Sequence, residues 1–232
     1  MGSFDLEEVK ALSQSYLGNL PATDREESWQ DVSPELPTGI VEADVFKGEG
    51  DQSIIQIYFT SPYEPSMQND IKLQAMASVL DILVREELRE ELGGVYASGV
   101  SAWSNELPDA NAFVSLFFGS DPARVDELIE AAFAQIADLQ ANGPSAENLE
   151  KAKAIAKSAN QENLEQNGFW LEAIKSAEIY PSQSLEELFE RDALIDALTA
   201  EEIQQMALDH VDMTQYVRAA LFPESFQEAS GE

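Results

Sequence analysis

The sequence predicts an α+β fold, an antiparallel-rich sheet with helices packed on one face. Three observations carry this prediction. Short segments rich in β-branched and aromatic residues, bounded by Gly, Pro and Asn, recur at Ile40–Phe46, Ser53–Thr60, Val95–Trp103, Asn111–Phe118 and Gln215–Phe222. Apolar residues fall at helical spacing over 70–92 and through most of 121–210. The strands arrive as two pairs around one helix, then a helical block, then a last strand, in the order β-β-α-β-β-α-α-α-α-α-β.

Ahead of that body, residues 4–17 read as a helix. Asp5 is an N-cap with Glu8 three residues on, Val9, Leu12 and Tyr16 follow at helical spacing, and Gly18 ends it. Residues 18–38 carry Pro21, Pro34 and Pro37 among polar residues without periodicity, the composition of a linker. Long structureless connectors are uncommon inside compact domains. The expected division is therefore 1–20 as the terminal helix of a preceding domain, 21–38 as linker, and 39–232 as the domain itself.

In the first strand Val41, Ala43 and Val45 alternate with Glu42 and Asp44. Gly48 and Gly50 separate it from SIIQIYFT at 53–60, which predicts a hairpin or a wider antiparallel connection. From Asp70 to Leu92 the stripe Ile71, Ala75, Met76, Val79, Leu80, Leu83, Val84, Leu88 predicts one helix, ended by Gly93-Gly94. Val95–Trp103 and Asn111–Phe118 then form an antiparallel pair across a turn at Asn105 and Pro108-Asp109. Asp121-Pro122 opens the next helix as cap and first residue. Asn142-Gly143-Pro144 breaks it before a long helix from Ser145 to about Gln166, and Gly168 separates that from a helix over 169–180, stopped by Pro181. Ser184-x-x-Glu187 and Thr199-x-x-Glu202 read as capping boxes, each opening a short helix. The last strand stops at Pro223.

Composition excludes several functions. The 232 residues hold 44 Asp plus Glu against 13 Lys plus Arg, a net charge of −31. Such a field repels phosphate backbones and anionic headgroups, so neither nucleic acid nor a membrane surface is an expected partner. The acids are spread along the chain between apolar stripes, as in proteins adapted to high salt, where screening removes self-repulsion. The plainer alternative is an ordinary acidic protein. No apolar run approaches the ~18 residues of a membrane span, and no basic n-region of a signal peptide is visible after Met1. With no cysteine and a single histidine, His210, the chain contains no thiolate nucleophile and no His-pair zinc motif. His210 falls near the end of a helical pattern, where the expected role is structural, on the last carbonyls.

The remaining chemistry is sparse. Gly93-Gly94 follows a helix rather than a strand, so it is no phosphate-binding loop. Glu86, Glu87, Glu90 and Glu91, interleaved with Arg85 and Arg89, read as a solvated face rather than a metal site. Trp103 and Trp170 flank apolar runs and are expected to be buried. Arg89 and Tyr96 lie seven positions apart on either side of the diglycine bend. Two readings stand. In one, Arg89 pairs with a neighbouring Glu at the helix C-terminus and Tyr96 fills the sheet edge. In the other, the guanidinium and the phenol converge to hold a carbonyl, a carboxylate or a developing oxyanion.

The run 88–101, LREELGGVYASGVS, resembles the motif of the C-terminal, non-zinc domain of pitrilysin/insulinase-type zinc metallopeptidases, in their processing-peptidase-like form. Residues 2–21 resemble the element that closes one such domain, and Ala219-Ala220-Leu221-Phe222-Pro223-Glu224 the last strand of the next. The resemblance implies a metallopeptidase half-domain fold that degrades or processes peptides together with a zinc-bearing half. That half, in the same full-length chain or a partner subunit, would supply zinc and general base. It further implies that Arg89 and Tyr96 orient the peptide and help stabilise the tetrahedral intermediate. Catalytic and metal ligands are then expected outside this chain, which is inactive alone. Strand-edge recognition would make Val95–Ser101 or Asn111–Phe118 a contact surface for peptide substrate. The alternative is a non-catalytic scaffold or core subunit of the same fold. A periplasmic or secreted location is expected over a cytoplasmic one.

Overall fold

The computed structural model describes residues 3–22, 26, 28, 30, 32, 35–180 and 182–226. Pro34, Pro181 and part of the 21–38 segment therefore lie outside the described residues. The first helix, α1 (Leu6–Tyr16), is capped as its sequence predicts, with the Glu8 amide donating to Asp5 Oδ1 at 2.9 Å. None of its residues is buried, although Val9, Leu12 and Tyr16 share a face.

The body follows the predicted order. Strands β1 (Ile40–Phe46) and β2 (Ser53–Pro62) precede helix α2 (Met67–Arg85). Strands β3 (Val95–Asn105) and β4 (Asn111–Ser120) precede helices α3 (Val125–Asn142), α4 (Ala146–Leu164), α5 (Asn167–Ile179), α6 (Arg191–Ala197) and α7 (Ala200–His210). Strand β5 (Tyr216–Phe222) closes the body. The sheet order is β1-β5-β2-β4-β3, antiparallel except for the β1–β5 pair.

Of the two connections expected between β1 and β2, the wider antiparallel one forms rather than the hairpin, because β5 lies between the two strands. Ion pairs accompany this arrangement. Arg218 of β5 is buried, and it places Nε 3.1 Å from Glu42 and Nη2 3.0 Å from Asp44. Strand β2 contains no cation to answer those two acids.

The period of two in the strands puts Ile55, Ile57 and Phe59 of β2 and Val114, Leu116 and Phe118 of β4 on one face. There they meet Leu73, Met76 and Leu80 of α2, Leu128, Ile136 and Leu139 of α3, and Ile203 of α7, all but fully buried. Each such side chain stabilises the fold by about 1.5–3 kcal/mol relative to exposure. The opposite sheet face carries no helix among the described residues and leaves Val45, Ile54, Leu221 and Trp103 exposed. Trp103 is thus not buried as expected; it stacks on Phe113 across the β3–β4 pair, ring centroids 5.4 Å apart.

Of the two predicted capping boxes, the one opening α7 is complete, with Thr199 Oγ1 accepting from the Glu202 amide at 3.2 Å and Glu202 Oε2 from the Thr199 amide at 3.1 Å. Ser184 instead bonds Glu186, both amide and carboxylate, and only a single 3-10 turn at Glu187–Phe189 follows. Two residues of spacing, rather than three, make a local serine turn in place of a helix cap.

Candidate functional site

The helix predicted over 70–92 does not run through as an α-helix. Beyond Arg85 the chain widens into a π-helical turn, Glu86–Glu91, closed by the Leu92 amide on the Glu87 carbonyl at 3.0 Å. A π turn takes in an extra residue, so side chains beyond it are rotated from the faces an α-helix would give them. Leu88 stays fully buried, while Arg89 comes out into solvent.

Both glycines of the bend suit their places, for different reasons. Gly93 has φ +56°, the left-handed region that costs other residues strain. Gly94 is buried, and a Cβ there would lie 2.6 Å from Leu128 Cδ2 and 3.0 Å from Arg124 Nη1. The Gly94 amide donates to the Leu88 carbonyl at 2.9 Å, and Arg124 Nη1 donates to the Leu92 carbonyl at 3.3 Å. The bend is thus clamped from both sides.

Strand β3 then opens on a bulge. Val95 faces Ser120 and Ala97 faces Gly119, so Tyr96 is the extra residue without a partner on β4. Bulges re-aim a side chain and interrupt pairing. Tyr96 is 64% exposed. Neither the Arg89 nor the Tyr96 side chain has a hydrogen bond or ion pair with another described residue.

Arg89 therefore does not pair with a neighbouring glutamate. Glu87 accepts from Gln135 Nε2 at 3.3 Å, and Glu86 lies 3.9 Å from Lys151 Nζ. Two hydrogen-bond donors of different reach, one of them cationic, are left free at one corner of the domain. Such a pair suits a peptide carbonyl or a developing negative charge. The π turn and the bulge escaped sequence reasoning, since the stripe through Leu88 and Leu92 fits an α-helix equally well.

Of the two strands expected to offer a peptide-binding edge, β4 is excluded, because β2 and β3 pair with both its sides. Strand β3 is an outer strand. Part of its outer edge is already used, with the Val100 amide donating to Asp81 Oδ1 at 3.0 Å while the other oxygen of Asp81 pairs with Arg85. This contact also ties α2 to the strand that carries Tyr96.

His210 is buried at the end of α7, as a structural role requires, but by a different bond from the one expected. Its Nδ1 is 2.7 Å from Ser61 Oγ, and its ring packs against Tyr63 with centroids 5.5 Å apart. Burial lowers its pKa, offset in part by the adjacent Asp209. Gln140 Nε2 instead donates to the carbonyl of Ala207 in the last turn of α7 and to that of Val211 just beyond it. Among the described residues no group of three or more acids or histidines is placed to hold a metal ion. With one histidine, already engaged, and no cysteine, the donor set of this chain does not fit zinc.

Residues 1–156 match the family described as "Peptidase M16 inactive domain", and the chain belongs to that family. A curated relative, a zinc protease PQQL-like protein of Arabidopsis thaliana, is 27% identical over 165 residues, covering 64% of this chain and 17% of that protein. Among solved structures, the periplasmic protease PqqL of Escherichia coli superposes with TM-score 0.76 at 17% identity, over 96% of this chain and 24% of that one. A protease from Helicobacter pylori gives TM-score 0.74 at 17% identity, over 95% of this chain and 53% of that one. At such identity the structures share the fold, and this chain spans about a quarter of PqqL and a smaller part of the plant relative.

Proposed function

We propose that this chain is the substrate-binding and positioning domain of a zinc metallopeptidase that degrades or processes peptides, with Arg89 and Tyr96 as its contacts to the peptide. The zinc-bearing half lies in the same full-length chain or in a partner subunit, and residues 39–232 form the domain, 21–38 its linker and 1–20 the closing helix of the domain before it. The single observation that carries this reading is the bend itself. Two donors without side-chain partners among the described residues, one on a π turn and one on a β-bulge, flank a glycine with positive φ and a second packed closely against Leu128 and Arg124. The exposed helix α1 supports the division of the chain. The name of the E. coli neighbour, a periplasmic protease, supports a periplasmic or secreted location.

Arg89 and Tyr96 act on the peptide, not on the metal. The guanidinium holds a substrate carbonyl or carboxylate, and the phenol donates to the oxygen on which charge develops. Removing one such donor costs about 10²–10³ in rate. In the complete enzyme, Arg89→Ala and Tyr96→Phe should each lower kcat/KM for a peptide substrate by about that factor, with the melting temperature unchanged. Wild-type turnover in both variants would leave the chain a scaffold of the same fold.

A further inference from the structure

At the other end of α2 from Arg89, a cleft of about 210 Å³ opens between α2, α5 and α6. Met67, Phe169, Ala173 and Leu188 make its wall apolar, and Asp70, Glu172 and Arg191 bring charge to it. Glu172 and one oxygen of Asp70 are already engaged. Asp70 Oδ1 accepts from Tyr63 at 2.9 Å and from Ser104 at 2.7 Å, and Glu172 pairs with Lys175.

Arg191 is different. It is partly buried, its one hydrogen bond is to the neutral Gln74 Oε1 at 3.2 Å, and it has no ion pair among the described residues. Burial depresses its pKa despite Asp70 and Asp192 nearby. The buried Arg218 shows the usual outcome in this chain, two carboxylates on one guanidinium. Asp70 and Asp192 act on the guanidinium electrostatically, yet neither closes on it as an ion pair, so its remaining donors are open to a ligand in the cleft.

We propose that this cleft binds the C-terminal residue of a peptide, its free carboxylate on Arg191 and its apolar side chain against Met67, Phe169 and Leu188. Size favours a single residue. Pockets that take a whole small ligand run from roughly 300 to 1,000 Å³, and this one is smaller. Chemistry favours a carboxylate, because the planar guanidinium has donors left over for a two-pronged contact. The site extends the reading of the chain as a peptide-handling domain but uses none of the residues around the bend.

Calorimetric titration of the 232-residue chain with acetyl-Ala-Ala-Phe, as free acid and as C-terminal amide, tests the site without any turnover, and so independently of Arg89 and Tyr96. The free acid should bind at least tenfold more tightly than the amide. Arg191→Leu should abolish that preference. Ala173→Leu, which fills the cleft and keeps the guanidinium, should weaken the acid at least tenfold, and it decides the matter if Arg191→Leu fails to fold. Equal binding of acid and amide, no binding at millimolar peptide, or full binding by Ala173→Leu would overturn the proposal. So would 3-phenylpropionate binding as tightly as the peptide, which would assign the cleft to small aromatic acids.

Discussion

Arg89 and Tyr96 owe their freedom to the backbone beneath them. In an uninterrupted helix and a regular strand each would occupy a face fixed by its neighbours; the π turn and the bulge release both from that constraint. His210 is the opposite case, a titratable group removed from chemistry by burial against Ser61 and Tyr63. Its folded pKa is lowered, so the unfolded chain binds the proton more readily. The stability it contributes is complete above the unfolded value of about 6.5 and is lost as pH falls through that value toward the folded one. Between about pH 7.5 and 5.5, the melting temperature of the native protein should fall more than that of His210→Gln. Parallel profiles would refute the assignment. The motif residues were legible at this scale because spacing across a diglycine survives in one dimension. Arg191 was not, since between Glu190 and Asp192 it reads as one more solvated charge.

Among the elements, three of the predicted caps formed, whereas Ser184-x-x-Glu187, with the same spacing as the Thr199 box, did not. Asp5, Asp121 and Thr199 accept the amides that their positions predict, and Ser145, not singled out in the sequence, caps α4 in the same way. Thr199→Ala removes one half of a reciprocal pair and should lower stability by about 1 kcal/mol, seen as a reduced denaturant midpoint at unchanged slope. Ser184→Ala should cost less, because Ser184 serves one 3-10 turn. An equal loss in both would mean that the Thr199 box adds nothing special. Between the hairpin and the wider antiparallel connection expected for β1 and β2, local reading could not choose. The partner that answers Glu42 and Asp44 is Arg218, more than 170 residues away.

At the scale of the molecule, charge outweighs every other feature of composition. Thirty-one uncompensated negative charges repel one another in the folded state, and their range shrinks from about 10 Å in 0.1 M salt to about 3 Å in 1 M. The melting temperature should therefore climb steeply between low and molar sodium chloride, and a flat curve would remove the case for adaptation to high salt. The same field leaves the chain with few cations, which is why Arg89 and Arg191, each without a carboxylate, stand out. Membership in the M16 inactive-domain family agrees with the resemblance drawn from residues 88–101 and with a sheet covered by helices on one face.

Periodicity, caps and glycines are properties of neighbours along the chain, so the fold class, the order of elements and the Arg89–Tyr96 motif followed from the sequence alone. Which strand lies beside which, where a helix widens by one residue, and which charge goes without a partner depend on groups far apart in the chain meeting in space. Those were decided only in the tertiary structure. A contact between distant residues leaves no local trace until packing brings its two halves together.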